Sequence, residues 1–83
     1  MKPYSCVNGK VTVDIHGMYP ADAKKKLERL LAAVGEEVEA VEVIHGCHGG
    51  AALLEVARSQ VRSKKIKRRG LELNPGVTVY YLK

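Results

Sequence analysis

Hydrophobic residues recur along the chain at two spacings, which predict its secondary structure. Residues 11–16 alternate between apolar and polar with a period of two, so Val11 and Ile15 share one face of a strand. We expect Gly17 to end this strand. Residues 38–44 form a second apolar segment, rich in β-branched side chains, that is also typical of a strand.

Two helices are predicted, one between these strands and one after them. The first begins near Pro20, because proline and Asp22 suit a helix start, and it ends at Gly35. The second covers residues 51–63, after a glycine-rich stretch. The apolar residues at helical spacing are Ala23, Leu27, Leu30, Leu31 and Val34 in the first helix and Leu53, Leu54, Ala57 and Val61 in the second.

The C-terminal part of the chain predicts an antiparallel hairpin. Residues 65–73 and 77–82 are candidate strands, and the Asn-Pro-Gly sequence at 74–76 is a turn signal. The order is therefore β-α-β-α-β-β. Because right-handed crossovers place both helices on one face, we expect an α/β fold, an α+β two-layer sandwich with a mixed four-stranded sheet. Residues 1–10 form an edge strand or an N-terminal arm, and residues 11–83 form the domain.

Length and composition limit the classes of protein to consider. The chain has 83 residues, enough for one domain, which excludes a two-domain enzyme. It contains no Trp and no Phe, so we expect an aliphatic core, to which Tyr4, Tyr19, Tyr80 and Tyr81 contribute. Modules that stack bases on Phe or Trp platforms are therefore disfavoured. Nothing resembles a secretory signal or a membrane span, so we expect a cytoplasmic protein with reduced thiols.

Positive charge is concentrated in the C-terminal third of the chain. Residues 1–57 hold 6 basic and 8 acidic side chains, whereas residues 58–83 hold 8 basic and 1 acidic side chain. We expect a basic strip in the second part to contact a polyanion such as a nucleic-acid backbone, instead of being only a solvated face. The strip consists of Arg58, Arg62, Lys64, Lys65, Lys67, Arg68 and Arg69.

A second group of basic residues lies on the first predicted helix. We expect it to be an ordinary solvated face, because acidic residues lie beside it. The residues of this helix face are Lys24, Lys25, Lys26 and Arg29.

The chain has room for one hydrophobic core. We therefore expect nucleic-acid binding and any catalysis to share one end of the sheet.

The histidines of the chain follow its first two strands. His16 ends the first strand, and His45 and His48 follow the second. If the strands are parallel neighbours, these histidines emerge at the end of the sheet where open α/β folds bind ligands. Asp14 lies on the same strand face as His16 and can orient it as a general acid or base, or help to bind a divalent ion. The alternative is a buried Asp–His pair that only satisfies its own hydrogen bonds.

A glycine-rich loop follows the second strand. Gly46, Gly49 and Gly50 flank the start of the second helix, whose free N–H groups can receive a phosphate. The loop matches neither the Walker motif nor the dinucleotide fingerprint, and a tight strand-to-helix turn is the alternative. A transition-metal site is a further alternative, although the spacing of its ligands differs from that of zinc fingers. Its candidate ligands are Asp14, His16, His45, Cys47 and His48.

The two histidine segments resemble the motifs of the Smr (small MutS-related) domain family, Leu-Asp-x-His-Gly and His-Gly-x-Gly. Here they read Val-Asp-Ile-His-Gly at 13–17 and His-Gly-Cys-His-Gly-Gly at 45–50. The resemblance covers residues 11–82 and is greatest to short, stand-alone Smr-like proteins. It implies a sandwich like the C-terminal domain of bacterial translation initiation factor three, together with nucleic-acid binding. Several family members nick DNA or cleave RNA.

The resemblance also implies roles for single residues. Asp14 and His16 would act as acid and base or with Mg²⁺ or Mn²⁺, and His45 and Gly46 would hold the scissile phosphate. Two departures weigh against cleavage: His48 replaces the second glycine of the motif, and Cys47 stands where many members have a lysine that clamps phosphate.

Two functions are therefore predicted for the chain. One is a metal-assisted nicking endonuclease, a hydrolase acting on structured or single-stranded DNA or RNA. The other is a non-catalytic module that binds structured nucleic acid or the ribosome. In either case the residues predicted to bind nucleic acid are Gly46, His48, Gly49, Gly50 and the basic strip.

Overall fold

The computed structural model describes residues 4–46, 51–71 and 74–83. The predicted β-α-β-α-β-β order is confirmed, and one further strand at the N-terminus makes a sheet of five strands instead of four. A π-helical segment, Val56–Gln60, continues the second helix. The elements are β1 (Cys6–Val7), β2 (Lys10–Asp14), α1 (Pro20–Ala33), β3 (Ala40–Ile44), α2 (Ala52–Glu55), β4 (Arg68–Leu71) and β5 (Val77–Tyr81).

The sheet is mixed, as predicted, with strand order β1-β2-β3-β5-β4. β2 and β3 are parallel, and Asp14 lies beside Ile44 at their carboxyl ends. β5 is antiparallel to β3, so its first residue, Val77, also lies beside Ile44. We call this end of the sheet the histidine end. The other end, where Lys10, Ala40, Tyr81 and Arg68 lie in register, is called the opposite end.

The added strand β1 forms a tight hairpin with β2. The two turn residues, Asn8 and Gly9, have φ angles of 53° and 78°. Two-residue hairpin turns of this type need positive φ at both positions, and Asn-Gly is a preferred pair. β1 pairs only with Lys10 and Val11. Among the described residues, the rest of β2 therefore has no neighbouring strand on that side.

Both helices pack on the same face of the sheet and enclose one aliphatic core. Val41, Val43 and Tyr80 point into this core from the central strands, and the Tyr80 hydroxyl donates to the carbonyl of Ala57 at 2.7 Å. Burial raises the pKa of Tyr80, so this hydroxyl keeps its proton. Tyr19 is 80% exposed, so the expectation that it supports the core is wrong.

The second helix ends before the predicted boundary at residue 63. Its last turn is π-helical, in which the N–H of Val61 donates to the carbonyl of Val56 at 3.1 Å. β4 begins at Arg68, later than predicted, and residues 72–73 of the predicted strand lie outside the described residues. No helix in the described ranges has the length and apolar character that crossing a membrane requires.

Candidate functional site

The two histidine segments meet at the histidine end of the sheet. The N–H groups of His45 and Gly46 both donate to the carbonyl of Gly76, at 2.9 and 3.0 Å. A Cβ atom added to Gly46 would lie 3.6 Å from the Cβ of His16. The start of the glycine-rich loop therefore lies close to His16, two residues after the end of β2, and the 74–76 turn lies beside Gly46.

Asp14 and His16 form an exposed pair at this end. The Asp14 Oδ1 accepts a hydrogen bond from the His16 Nδ1 at 2.5 Å and another from the His16 backbone N–H at 2.9 Å. The side chains are 49% and 70% exposed, respectively, which excludes the alternative of a buried pair. Since the carboxylate can only accept, Nδ1 carries the proton, and in the neutral ring Nε2 keeps its lone pair. That nitrogen can take a proton from a substrate or from water.

The charge of Asp14 is favoured by its surroundings. The side-chain hydrogen bond from His16 lowers the pKa of Asp14, and the backbone hydrogen bond from the same residue lowers it further. The positive charge of Lys26 acts in the same direction with a smaller effect. Asp14 is therefore ionised at neutral pH and holds the imidazole in one tautomer and one orientation.

His45 occupies a different environment from His16. It is only 2% exposed, and its Nε2 lies 2.9 Å from the Oγ1 of Thr78, which is fully buried. Its Nδ1 lies 3.0 Å from the carbonyl oxygen of Gly46. A carbonyl only accepts, so Nδ1 donates to it, and Nε2 of the neutral ring accepts from the Thr78 hydroxyl. With both ring nitrogens occupied and the ring buried, the predicted direct contact of the His45 side chain with a phosphate does not fit this structure.

The described part of the predicted phosphate loop consists of Gly46. Its φ of 83° is in the left-handed region, which favours glycine. Gly76 approaches it so closely that a Cβ added there would lie 3.2 Å from the Gly46 Cα. The backbone conformation therefore favours glycine at position 46, and the close approach of the two turns favours it at position 76. The other predicted residues of the loop lie outside the described residues; they are Cys47, His48, Gly49 and Gly50.

Two members of the basic strip are bound to carbonyl groups at helix ends. The guanidinium of Arg69 donates to the carbonyls of Ala57, at 3.0 Å, and Val61, at the end of the π-helical segment. The ammonium of Lys65 donates to the carbonyl of Val34 at 2.7 Å, at the end of α1. These two side chains satisfy carbonyls that the helices leave unpaired, so they stabilise the fold.

The remaining exposed members of the strip lie at the opposite end of the sheet. The π-helical segment leads there, and Arg68 lies in register with Tyr81, at the far end of β5 from Val77. Four residues of strand separate the two ends, a distance of about 13 Å. The expectation that the strip and the histidines share one end is therefore wrong. We call Arg62, Lys64, Lys67 and Arg68 the opposite-end cluster.

Arg58, the first residue of the strip, belongs to neither group. It lies half-buried on the π-helical segment, and its Nε is buried without a hydrogen-bond partner among the described residues. This nitrogen is therefore not accessible to a phosphate in this structure, and nothing in the described residues explains why it is unpaired.

Comparison with solved structures finds a similar fold in the crystal structure of the Smr domain of Thermus thermophilus MutS2. The two structures have a TM-score of 0.75 and 26% sequence identity, and the match covers 87% of this chain and 96% of that chain. The chain is an Smr-like domain. No family model and no curated protein matches the sequence.

The two motifs of this Smr-like domain differ in how far their side chains are exposed to solvent. The first motif presents Asp14 and His16 to solvent, whereas the described part of the second motif places His45 inside. The likeness to the C-terminal domain of translation initiation factor three stays a prediction.

The side chains at the histidine end can be compared with the ligands that a divalent metal ion needs. Within the described ranges, no group of three His, Cys, Asp or Glu side chains is close enough to hold a metal. His45 is removed from the candidate ligands because both of its ring nitrogens are bonded. The Oδ2 of Asp14 accepts no hydrogen bond from the described residues. Mg²⁺ is often held by one or two carboxylates together with substrate phosphates, and this oxygen fits that arrangement.

Two residues of the predicted solvated helix face, Lys26 and Arg29, and one predicted core residue, Tyr19, need a new description. Lys26 is close enough to Asp14 for its charge to act on the carboxylate, and Tyr19 is exposed at the start of α1. Arg29 follows Lys26 by three residues on the same side of the helix. The spacing of Lys26 and Arg29 is visible in the sequence, but their position beside β2 depends on how α1 packs.

Proposed function

We propose that this Smr-like domain binds nucleic acid at its histidine end and cleaves a phosphodiester bond there. The observation that carries the proposal is the exposed Asp14–His16 pair, in which the carboxylate holds Nδ1 and leaves Nε2 available. A histidine positioned in this way is a frequent general acid or base in enzymes. The resemblance of both motifs to those of the Smr family supports the same assignment.

In the proposed reaction, His16 removes a proton from water through Nε2. The water oxygen forms a bond to phosphorus, one ester P–O bond breaks, and the leaving oxygen takes a proton from the solvent. Asp14 does not exchange a proton, because its lowered pKa keeps it ionised. It orients the imidazole and stabilises the positive charge that the ring acquires.

His45 is a positioning residue in this proposal. Its Nδ1–H donates to the carbonyl of Gly46, and the backbone of Gly46 lies close to the Cβ of His16. A Mg²⁺ or Mn²⁺ ion, if used, would be held by the Oδ2 of Asp14 and by phosphate oxygens, and it would neutralise charge that develops on the phosphate. His48, Gly49 and Gly50 remain predicted contacts to the phosphate backbone.

The opposite-end cluster favours a second candidate function, binding without cleavage. Arg62, Lys64, Lys67 and Arg68 are exposed, and Arg68 lies over the ring of Tyr81 with 4.4 Å between Cζ and the ring centroid. Such a cluster can contact successive phosphates of structured nucleic acid, including ribosomal RNA, and release counterions. This function needs neither Asp14 nor His16.

One experiment separates the two functions. The full chain and a variant carrying both Asp14→Ala and His16→Ala are incubated with single-stranded and branched DNA and RNA, with Mg²⁺, with Mn²⁺ and with a chelator. Cleavage by the wild type that is lost in the variant supports the endonuclease. Retained binding without cleavage by either protein supports the binding module, and equal cleavage by both proteins contradicts the role of the pair.

A further inference from the structure

A groove lies between α1 and β2, and one of its lining residues, Val13, directly precedes Asp14. Its volume is about 400 Å³, within the range of about 300–1,000 Å³ that is usual for ligand sites. Because β1 pairs only with the first two residues of β2, the groove extends along the free side of this strand toward Asp14. We call it the α1 groove. Its apolar wall is formed by Tyr4, Val11, Val13 and Leu30.

Two cationic side chains complete the α1 groove. Lys26 and Arg29 line it from the helix, one turn apart, and both are exposed. Neither forms an ion pair or a side-chain hydrogen bond with any residue that the structure describes. By contrast, Lys24 on the same helix is paired with Glu28 at 2.9 Å. The groove thus combines an apolar wall with two positively charged side chains that form no ion pair within the described ranges.

We propose that the α1 groove binds one unpaired nucleotide of a single-stranded nucleic acid, with its base against the apolar wall and its phosphate at Lys26 and Arg29. This inference rests on the proposed function, because it places the nucleotide next to the bond that the Asp14–His16 pair attacks. A nucleotide has the two properties that the groove complements: a flat base with apolar faces and an anionic phosphate. An acidic peptide would complement the charges but not the apolar wall.

The position of the groove also determines which form of nucleic acid it accepts. In a duplex, both faces of each base are covered by stacking, and its edges are paired. A base in a single strand or a loop can turn outward and contact an apolar surface. The inferred substrate is therefore single-stranded or locally unpaired, and a fully paired duplex of the same sequence is bound less tightly.

The test measures binding of a short fluorescent single-stranded RNA, and of a strand of the same length that lacks all of its bases, by fluorescence anisotropy with the full chain. The wild type binds the complete strand about tenfold more tightly than the abasic strand, which is the effect of losing one stacked base. Ala33 lines the groove from an exposed helix position, so Ala33→Phe fills the groove without disturbing the core. We expect Ala33→Phe to abolish the preference for the complete strand.

Matched controls separate this effect from general changes in charge or folding. Ala32 is the exposed neighbour of Ala33 and does not line the groove, so Ala32→Phe keeps the preference. Lys26→Ala weakens binding more than Lys25→Ala, which removes the same charge from the next position. The proposal is overturned if Ala33→Phe retains the preference, or if Lys26→Ala binds as tightly as Lys25→Ala.

The binding test is independent of the cleavage test. An Asp14→Ala variant keeps the groove and is expected to retain the preference for the complete strand, because Asp14 does not line it. If wild type cleaves but the groove variants bind as wild type does, only the groove proposal fails. If no cleavage is seen but Ala33→Phe removes the base preference, the cleavage proposal fails and the groove proposal stands.

Discussion

The imidazole of His45 and the hydroxyl of Thr78 are hydrogen-bonded partners inside the sheet, with Nε2 and Oγ1 2.9 Å apart. Both residues are buried, and the second ring nitrogen of His45 bonds to the Gly46 carbonyl. This pair therefore connects the core of the central strands to the first residue of the glycine-rich loop. His45 therefore helps to hold the start of the loop in place, whereas the side chain of His16 is exposed to solvent.

The first prediction concerns the stability of this buried pair. Thr78→Val preserves the shape of the side chain but leaves the Nε2 of His45 buried without a partner. We expect the free energy of unfolding in urea to fall by about 1–3 kcal/mol, the usual effect of an unsatisfied buried polar group. Thr12→Val is the control, because Thr12 is exposed and its hydroxyl forms only a long hydrogen bond, of 3.5 Å, to Glu42. This variant should change the free energy of unfolding by less than about 0.5 kcal/mol. Equal losses in both variants would contradict the assignment.

The second prediction separates two adjacent arginines of the basic strip. Arg69 donates to the carbonyls of Ala57 and Val61, whereas Arg68 lies exposed over the ring of Tyr81. Arg69→Ala should lower the free energy of unfolding by about 1.5–3 kcal/mol, because hydrogen bonds from a charged group to helix carbonyls are lost. Arg68→Ala should lower it by no more than about 1 kcal/mol. Urea denaturation of the two variants checks this, and the reverse order would be inconsistent with the structure.

The third prediction is the pH dependence of stability at Asp14. The hydrogen bonds from His16 lower the pKa of Asp14 below its value of about 3.9 in an unfolded chain. The resulting stabilisation is fully present above that value and is lost as the pH falls through the lower pKa of the folded state. Asp14→Asn should therefore lower the thermal midpoint at neutral pH, and its difference from the wild type should shrink below about pH 4.

A series of thermal melts between neutral and acidic pH measures this difference. Asp22→Asn is the control, since Asp22 is exposed and forms no ion pair within the described residues. A difference between wild type and Asp14→Asn that stays constant down to acidic pH would show that the hydrogen bonds from His16 do not favour the charged carboxylate.

The order of elements was predictable because each follows from a clear local pattern. For residues 1–10 the sequence predicted either an edge strand or an arm, and so did not define β1. The Asn8-Gly9 pair before β2 is nevertheless a strong hairpin signal. The strand itself, Cys6–Val7, is too short to show a period of two. Its existence depends on pairing with Lys10 and Val11, which only the folded sheet provides.

The different burial of the two motif histidines was also partly readable from the sequence. His45 continues the alternation of Val41 and Val43 and so lies on the buried face of β3. His16 continues the exposed alternation that includes Asp14. A histidine that follows a strand can therefore be assigned to one end of the sheet. Whether its side chain faces the core or the solvent depends on the alternation of side chains along that strand.

The division of the basic strip could not be read from the sequence. Arg68 and Arg69 are consecutive, so their side chains point to opposite faces of β4. Arg68 is therefore exposed to solvent, whereas Arg69 bonds to the π-helical segment. The antiparallel pairing of β4 with β5 places the start of β4 at the opposite end of the sheet. Long-range pairing determines both results, and local charge does not reveal it.

The central claim, that His16 and Asp14 form the reactive pair, is tested most directly by a single-turnover cleavage rate. The rate constant is measured for wild type and for His16→Ala on the same unpaired RNA or DNA substrate, with circular dichroism confirming that both are folded. A general base contributes about 10²–10⁴-fold, so His16→Ala should be slower by that factor. A rate constant for His16→Ala equal to that of the wild type would contradict the account.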